Sequence, residues 1–422
     1  MNPSTKVQSG MNVNDLRKAL LFNVGELWAV SSASMIRSIG MGMSWPFLAI
    51  FLHNEEHIPI YFVGLLFTLS TVVSITFSMV GGGLSDRFGR KGMLLTGSML
   101  GAGLYMVLAS LVFQGSPVFY IELLFVLSNI SGAFVFPAAS ALVSDVTSES
   151  QRTMAYSLYR IMSNVGWAVG PLVGGFIYDS GMYYIFALLS LTSIAQFSIV
   201  LLYVKKREGT SRNLGRLDSF LVVDKYLIAF ASGTFFVTLI ASQFSVTLPI
   251  FATNVVSIPT NQIGYIYAVN GFIVVAGQYP MSWLLRHMND INVMVLGSAF
   301  YALGYFLIGF SHDLLGIMLD MVIITVGENL TSPGMNSVVS KIAPKDKVGR
   351  YMGFLSMMNS SGRAIGPSIG TVLMFIFAYQ GFEVWTSLSM LGVTAVFILL
   401  AVKTPVTRRA DELRNPETAV SQ

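Results

Sequence analysis

Long apolar runs separated by short polar turns constrain this chain more than any other feature. Twelve such runs lie at roughly 24–52, 60–85, 91–113, 117–143, 152–177, 182–204, 224–252, 261–285, 291–311, 313–340, 349–376 and 381–402. Each holds the ~20 mostly apolar residues a helix needs to cross about 30 Å of hydrocarbon. The runs are too long for membrane strands and lack strict alternation. Composition supports the same reading: 54% of the 422 residues are hydrophobic and 11% are charged, and mean hydropathy is +0.67. A soluble domain carries about a quarter charged residues, and so few charges would not cover a soluble surface of this size. The expected fold class is an all-α integral membrane protein with twelve transmembrane helices in two six-helix bundles.

The net charge of +4 does not point to nucleic acid, because of where the charge lies. Basic residues cluster in alternate turns: Arg87, Arg90 and Lys91; Arg152; Lys205, Lys206 and Arg207; Arg286; Lys341, Lys345, Lys347 and Arg350; Lys403, Arg408 and Arg409. The intervening turns near 51–60, 114–117, 178–182, 253–261, 311–313 and 378–383 hold no Lys or Arg. This positive-inside pattern predicts both termini in the cytoplasm and a multi-pass protein of the cell membrane. The first run follows about 20 polar and amphipathic residues without a small-residue cleavage site, so it reads as a retained helix. Cysteine is absent, and the four histidines are scattered. Neither a metal site nor another cofactor is expected.

The longest polar stretch between runs is 205–223, read as a cytoplasmic linker. It divides a first bundle, 1–204, from a second, 224–404, with a cytoplasmic tail at 405–422. The halves repeat. An offset of 196 relates Pro137 to Pro333, Ser144 to Ser340, and Gly166–Gly175 to Gly362–Thr371. An offset of 200 relates Val63-Gly64 to Ile263-Gly264 and Gly97-Ser98 to Gly297-Ser298. Six-helix repeats in one orientation are the plan of a rocking carrier with substrate at the midplane.

Two motifs stand out. The turn between the second and third runs reads Gly82-Gly83-Leu84-Ser85-Asp86-Arg87-Phe88-Gly89-Arg90-Lys91. Its glycines allow a tight turn, and Asp86 can meet a helix N-terminus or an arginine. The fifth run carries Gly166, Gly170, Pro171 and Gly174, and the eleventh repeats them as Gly362, Gly366, Pro367 and Gly370. Glycines one turn apart let a neighbouring helix approach closely, and the prolines bend the helix. We expect these helices at the interface between the halves, with their glycine faces against the opposite half. Ordinary small-residue packing is the plainer account.

The turn motif closely resembles the loop signature G-x-L-a-D-R-x-G-R-K of the major facilitator superfamily, and the fifth-helix glycines resemble a motif that accompanies its antiporters and exporters. The resemblance spans residues 20 to about 404. It implies a major facilitator fold and a secondary active transporter working by alternating access, similar to the 12-helix drug/proton antiporter branch. Gly82, Asp86, Arg87, Gly89 and Arg90 then form a cytoplasmic gate, with Asp86 near Gly349 or Arg350 when that side is closed. The chain departs from the branch at Ser128, where many of its members carry arginine four residues before a glycine, here Gly132.

Charged residues inside spans are costly and mark cavities or partners. Arg37, Arg160 and Arg363 lie in the first, fifth and eleventh runs; Asp320 and Glu328 lie in the tenth, and Glu26 and Glu122 lie near helix ends. A mid-span carboxyl must be protonated or paired, which suits Glu328, and secondarily Asp320, to proton coupling. Arg37, Arg160, Asn164, Arg363, Gln243 and Asn270 are the candidate cavity residues. Gln278 adds hydrogen bonding, and Trp45, Phe244, Tyr265 and Tyr267 add apolar lining. The expected function is proton-coupled export of amphipathic compounds or drugs, not an enzymatic activity. Its partners are a small-molecule substrate, protons and the lipid bilayer, and the protein is expected to be a monomer. The alternative is a carrier of an organic anion or small metabolite held by intramembrane arginines. A transporter-like sensor is a further, weaker alternative.

Overall fold

The computed structural model describes residues 25–148, 151–206, 224–285, 287–344 and 347–414. Twelve long helices run through them: α1 (Gly25–Ile50), α2 (Ile60–Phe88), α3 (Arg90–Phe113), α4 (Val118–Asp145), α5 (Arg152–Tyr178) and α6 (Met182–Tyr203), then α7 (Lys225–Ala241 and Thr247–Asn254), α8 (Ile263–Leu284), α9 (Asp290–Ile308), α10 (Leu314–Ile342), α11 (Val348–Ile376) and α12 (Gly381–Arg414). No strand occurs among the described residues. Ten of the twelve are long and apolar enough to cross a membrane; α8 and α11 fall outside that set. Asn270 and Gln278 make α8 more polar, and Asn359 to Ser361 with Arg363 do the same for α11. Both helices stand between the halves, where polar groups face protein or a cavity instead of lipid.

Local sequence explains the boundaries. Asp224, Asn289 and Asp313 cap α7, α9 and α10 by accepting from Leu227 N, Ile291 N and Gly316 N at 2.9, 2.9 and 2.8 Å. Gly89 ends α2 and opens α3 at φ +85, a backbone that favours glycine. The expected single span 224–252 is broken by a 3-10 turn at Ser242–Phe244. Pro249 has no N–H to return to the carbonyl of Ser245. Ser242 and Ser245 hydroxyls donate back to Leu239 O and Ser242 O at 2.8 and 2.7 Å. Beyond the expected end at 402, α12 continues to Arg414, so 405–414 is helical, while 415–422 lies outside the described residues. Most of the linker, 207–223, also lies outside them.

The repeat is geometric as well as textual. In the first half, Cβ atoms built on Gly166, Gly170 and Gly174 would meet Ser38, Ile39 O and Met43 O on α1 at 2.6, 2.5 and 2.6 Å. In the second half, Gly362, Gly366 and Gly370 meet Thr238, Leu239 and Gln243 on α7, each 200 residues beyond its α1 counterpart. Gly97 packs on Ser131 O of α4, and Gly297 packs on Gly327 O of α10. These contacts correct one expectation. The glycine ridges pack inside their own halves, because α1 and α7 offer glycine or small residues at the facing positions and the backbones close together.

The interface between halves uses other faces of the same helices. Gly264 of α8 approaches Pro171 O and Leu172 Cα of α5, its built Cβ lying 2.5 and 2.9 Å away. Its repeat partner, Gly64 of α2, approaches Pro367 O and Ser368 Cα of α11 at 2.8 and 3.0 Å. Thr68 donates to Ala364 O at 2.6 Å beside Ser368 Oγ at 2.7 Å. At the end away from the basic clusters, Asn54 and Asn254, 200 residues apart, exchange two amide hydrogen bonds of 2.8 and 2.9 Å. Tyr379 lies 2.7 Å from His53 Nε2. His53 Nδ1 faces Ile58 O at 2.8 Å, so Nδ1 donates and Nε2 accepts from Tyr379. Asn261 donates to Asp179 at 2.8 Å. One large apolar core cluster runs the length of the second half and joins both halves at this end through Phe47, Phe67, Ile250 and Phe251. At the basic end, a separate cluster of Leu27, Leu94, Leu142 and Val200 is confined to the first half. There, Gly82, Gly349 and Gly353 have open space around them.

Candidate functional site

Between the halves and beneath the closed end lies a cavity of about 620 Å³. Trp45, Phe67, Trp167, Phe244 and Tyr267 give it an apolar body, and Asn164, Asn270, Glu328 and Arg363 supply polar groups. Trp45 packs edge-on against Phe67 at 5.2 Å, and Phe244 leans on Tyr267 at 4.4 Å between centroids. A few polar groups set in an aromatic wall is the make-up of a small-molecule site.

Glu328 is its acid. It stands fourteen residues from Leu314 and fourteen from Ile342, the two ends of α10, so it is about 21 Å along the helix from either. Asn270 of α8 bridges the site, donating to Glu328 Oε2 at 2.9 Å and to Thr325 Oγ1 at 3.0 Å. Arg160 crosses to α8 and donates to Gln278 Oε1 at 3.2 Å. Arg363 also lines the cavity and reaches Ser360 Oγ at 3.4 Å.

Other expected site residues fall elsewhere. Gln243 is wholly buried at the α7 break. It donates to Leu239 O and Gly366 O at 3.0 and 2.9 Å and accepts from Thr247 at 2.7 Å. It satisfies backbone groups that the break releases and does not line the cavity; Gly370 makes room for it. Asp320 is buried on the α9 side of α10, accepts from Ser311 at 2.5 Å and is not in the cavity wall. Glu26, Glu122 and Tyr265 also stand outside that wall. In the turn motif, Arg90 pairs with Asp145 at 3.2 Å, and Arg87 lies over the Phe88 ring at 5.5 Å. Arg350 is exposed at the start of α11. The side chain of Asp86 and all of Arg286 lie outside the described residues.

Arg37 opens into a second cavity of about 330 Å³ within the first half. Trp45, Ser74, Asn129 and Trp167 line both cavities, which therefore lie side by side. Of these four, only Trp45 was expected from sequence. Asn129 and Ser74 look like ordinary helix polar residues until α4 and α2 are placed.

The family model of the Major Facilitator Superfamily matches residues 30–367 and 230–420. The chain belongs to the Major Facilitator Superfamily. Its members are transporters and not enzymes. An uncharacterized MFS-type transporter, YqjV of Bacillus subtilis (strain 168), is 27% identical over 404 residues, covering 92% of this chain and 97% of the relative. Multidrug resistance protein 1 of the same organism is 26% identical over 389 residues, covering 89% and 95%. Among solved structures, a mutant of the peptide transporter POT in complex with sulfate superposes with TM-score 0.76 at 16% identity, covering 91% and 95%. This superfamily member is therefore a multi-pass membrane transporter. At 16% identity the POT likeness shows the fold alone.

Proposed function

We propose that the chain is a proton-coupled antiporter that exports amphipathic small molecules by alternating access, with Glu328 as the group that gains and loses the proton. The observation that carries this reading is Glu328 itself: a mid-membrane carboxyl in the wall of the inter-half cavity, held by the amide of Asn270 on α8, the helix that Arg160 of the other half reaches at Gln278. Such a carboxyl is stable protonated, or ionised when a cation or water reaches it. Movement of the halves or entry of cargo changes which of these holds. Arg160 lies on α5 and Gln278 on α8, so rocking the halves changes the field at Glu328.

In this reading the termini are cytoplasmic, the closed end faces outward, and cargo enters the cavity from the basic side of the cell membrane. The turn Gly82–Arg90 with Arg350 closes that side in the other state, and a monomer suffices. Several multidrug resistance proteins among the relatives support amphipathic cargo. The test uses purified protein in proteoliposomes. Glu328→Gln keeps volume and hydrogen bonding but does not titrate. It is expected to bind substrate and to exchange it in counterflow, but to lose accumulation driven by a proton gradient. Wild-type gradient-driven transport by Glu328→Gln removes Glu328 from coupling.

A further inference from the structure

Each half places a charge where the other half has an uncharged residue. Arg37 of α1 corresponds, by the 200 offset, to Val237 of α7. Glu328 of α10 corresponds, by the 196 offset, to Gly132 of α4. In the first half these positions touch: a Cβ on Gly132 would lie 3.0 Å from Arg37 Nη2, and nothing else comes within 4 Å of it. Gly132 therefore leaves the space that the guanidinium occupies, and no acid stands where the second half has one.

Among the described residues, no ion pair is seen at Arg37. It lies twelve residues from Gly25 and thirteen from Ile50, the two ends of α1. Its Nη1 is buried and has no hydrogen-bond partner. No Asp or Glu is among the described residues that line its cavity. The lining is rich in neutral donors instead: Ser34, Ser38, Ser74, Asn129, Tyr159 and Gln196. Ser98 donates to Gln196 Oε1 at 3.1 Å, which leaves the amide NH₂ of Gln196 to donate. A buried guanidinium is stable only when paired and hydrogen-bonded, and its planar fork matches a carboxylate with two parallel bonds.

We propose that the Arg37 cavity is an anion subsite, and that the cargo is an amphiphile whose carboxylate, or a like oxyanion, docks on Arg37 while its apolar body extends past Trp45 and Trp167 into the aromatic cavity between the halves. Trp45, Ser74, Asn129 and Trp167 belong to both linings, so the two cavities are adjacent and the cargo passes between these four side chains to reach both. The assignment rests on the transporter reading and deepens it by naming the cargo's charge.

The test is equilibrium binding to the purified full-length protein in nanodiscs, read by quenching of tryptophan fluorescence, since Trp45 and Trp167 line the path. Three matched pairs serve as probes at neutral pH: octanoate, 4-phenylbutyrate and 1-naphthaleneacetate, each against its primary amide. At least one acid is expected to bind about tenfold or more tightly than its amide, the scale of a charge-assisted pair. Arg37→Gln is expected to bring that ratio near one, with the larger loss falling on the acid. Arg37→Lys is expected to keep part of the preference, because it keeps charge but not the fork. If no acid outbinds its amide in the wild-type protein, the subsite is wrong, whether or not any variant folds. A ratio that survives Arg37→Gln equally overturns it. No gradient is present, so the result stands apart from the Glu328 coupling test: an acid preference with no proton-driven flux would sink the antiporter reading alone.

Discussion

The first half carries Arg37 against Gly132, and the second carries Val237 and Glu328 at the matching positions. Around these sites the halves are built alike. Gly166, Gly170 and Gly174 seat α5 on α1 as Gly362, Gly366 and Gly370 seat α11 on α7, and Gly97 meets α4 as Gly297 meets α10. The packing scaffold is thus duplicated, while the charge is not: one half holds a cation without an acid, the other an acid held by the amide of Asn270. Small residues are constrained by close backbone contact, which both halves need to form a bundle. Charged residues in a membrane are constrained by what they bind, and an asymmetric cargo or a proton asks different things of the two sides.

Breaking the difference at the acid should have the largest effect. Val237→Arg would set a guanidinium on the cavity wall that also carries Glu328. A fixed partner holds the carboxylate ionised, so proton-driven transport should fall to the level of empty liposomes, even though Glu328 is intact. Retained flux would show that titration of Glu328 is dispensable. The reverse change, Gly132→Glu, supplies Arg37 with the acid that the first half lacks. The expected outcome is a folded protein that has lost its preference for an anionic ligand over its amide, with proton coupling left in place.

The shared scaffold should respond more modestly and alike in both halves. Gly170→Ala places a Cβ 2.5 Å from Ile39 O and 2.9 Å from Gly42 Cα. Overpacking of this kind costs about 1–3 kcal/mol. Gly366→Ala meets Leu239 O at 2.8 Å and displaces the Ser242 hydroxyl, and once that side chain turns aside the variant should lower the thermal midpoint of the purified protein as Gly170→Ala does. Unequal losses would mean that the two ridges are not equivalent.

The smallest effect is expected at the closed end. Asn54→Ala and Asn254→Ala each remove both bonds of the reciprocal pair. Each should shift the balance toward opening of that end by about 1 kcal/mol. The double variant should do no more than either single one, because the pair is one interaction. Cysteine accessibility at a position introduced beside Tyr379 reads the shift. Asn254 also accepts from Thr253 Oγ1 at 3.0 Å, and an additive double variant would mean that the two amides act independently of each other.

The sequence by itself determined the helices and their repeat. Apolar length sets a span whatever surrounds it, so eleven of the twelve expected spans match unbroken helices to within a few residues, apart from the longer α12. It also pointed to Glu328, Asn270, Asn164 and Arg363, which line the cavity between the halves, because polar groups at mid-span avoid lipid; Arg160 reaches Gln278 outside that wall. Tertiary structure alone decided the rest. A helix has several faces, and composition does not say which neighbour each one meets. The glycine ridges therefore turned toward α1 and α7, not across the interface, and Gln243 was taken up by the broken backbone of α7. Asp320 found Ser311 on the α9 side instead of the cavity. The place of Arg37 beside Gly132 depends on α1 and α4 being brought together. It was invisible in a sequence where the two residues stand 95 positions apart, since a guanidinium's partner is set by the fold around it and not by its neighbours in the chain.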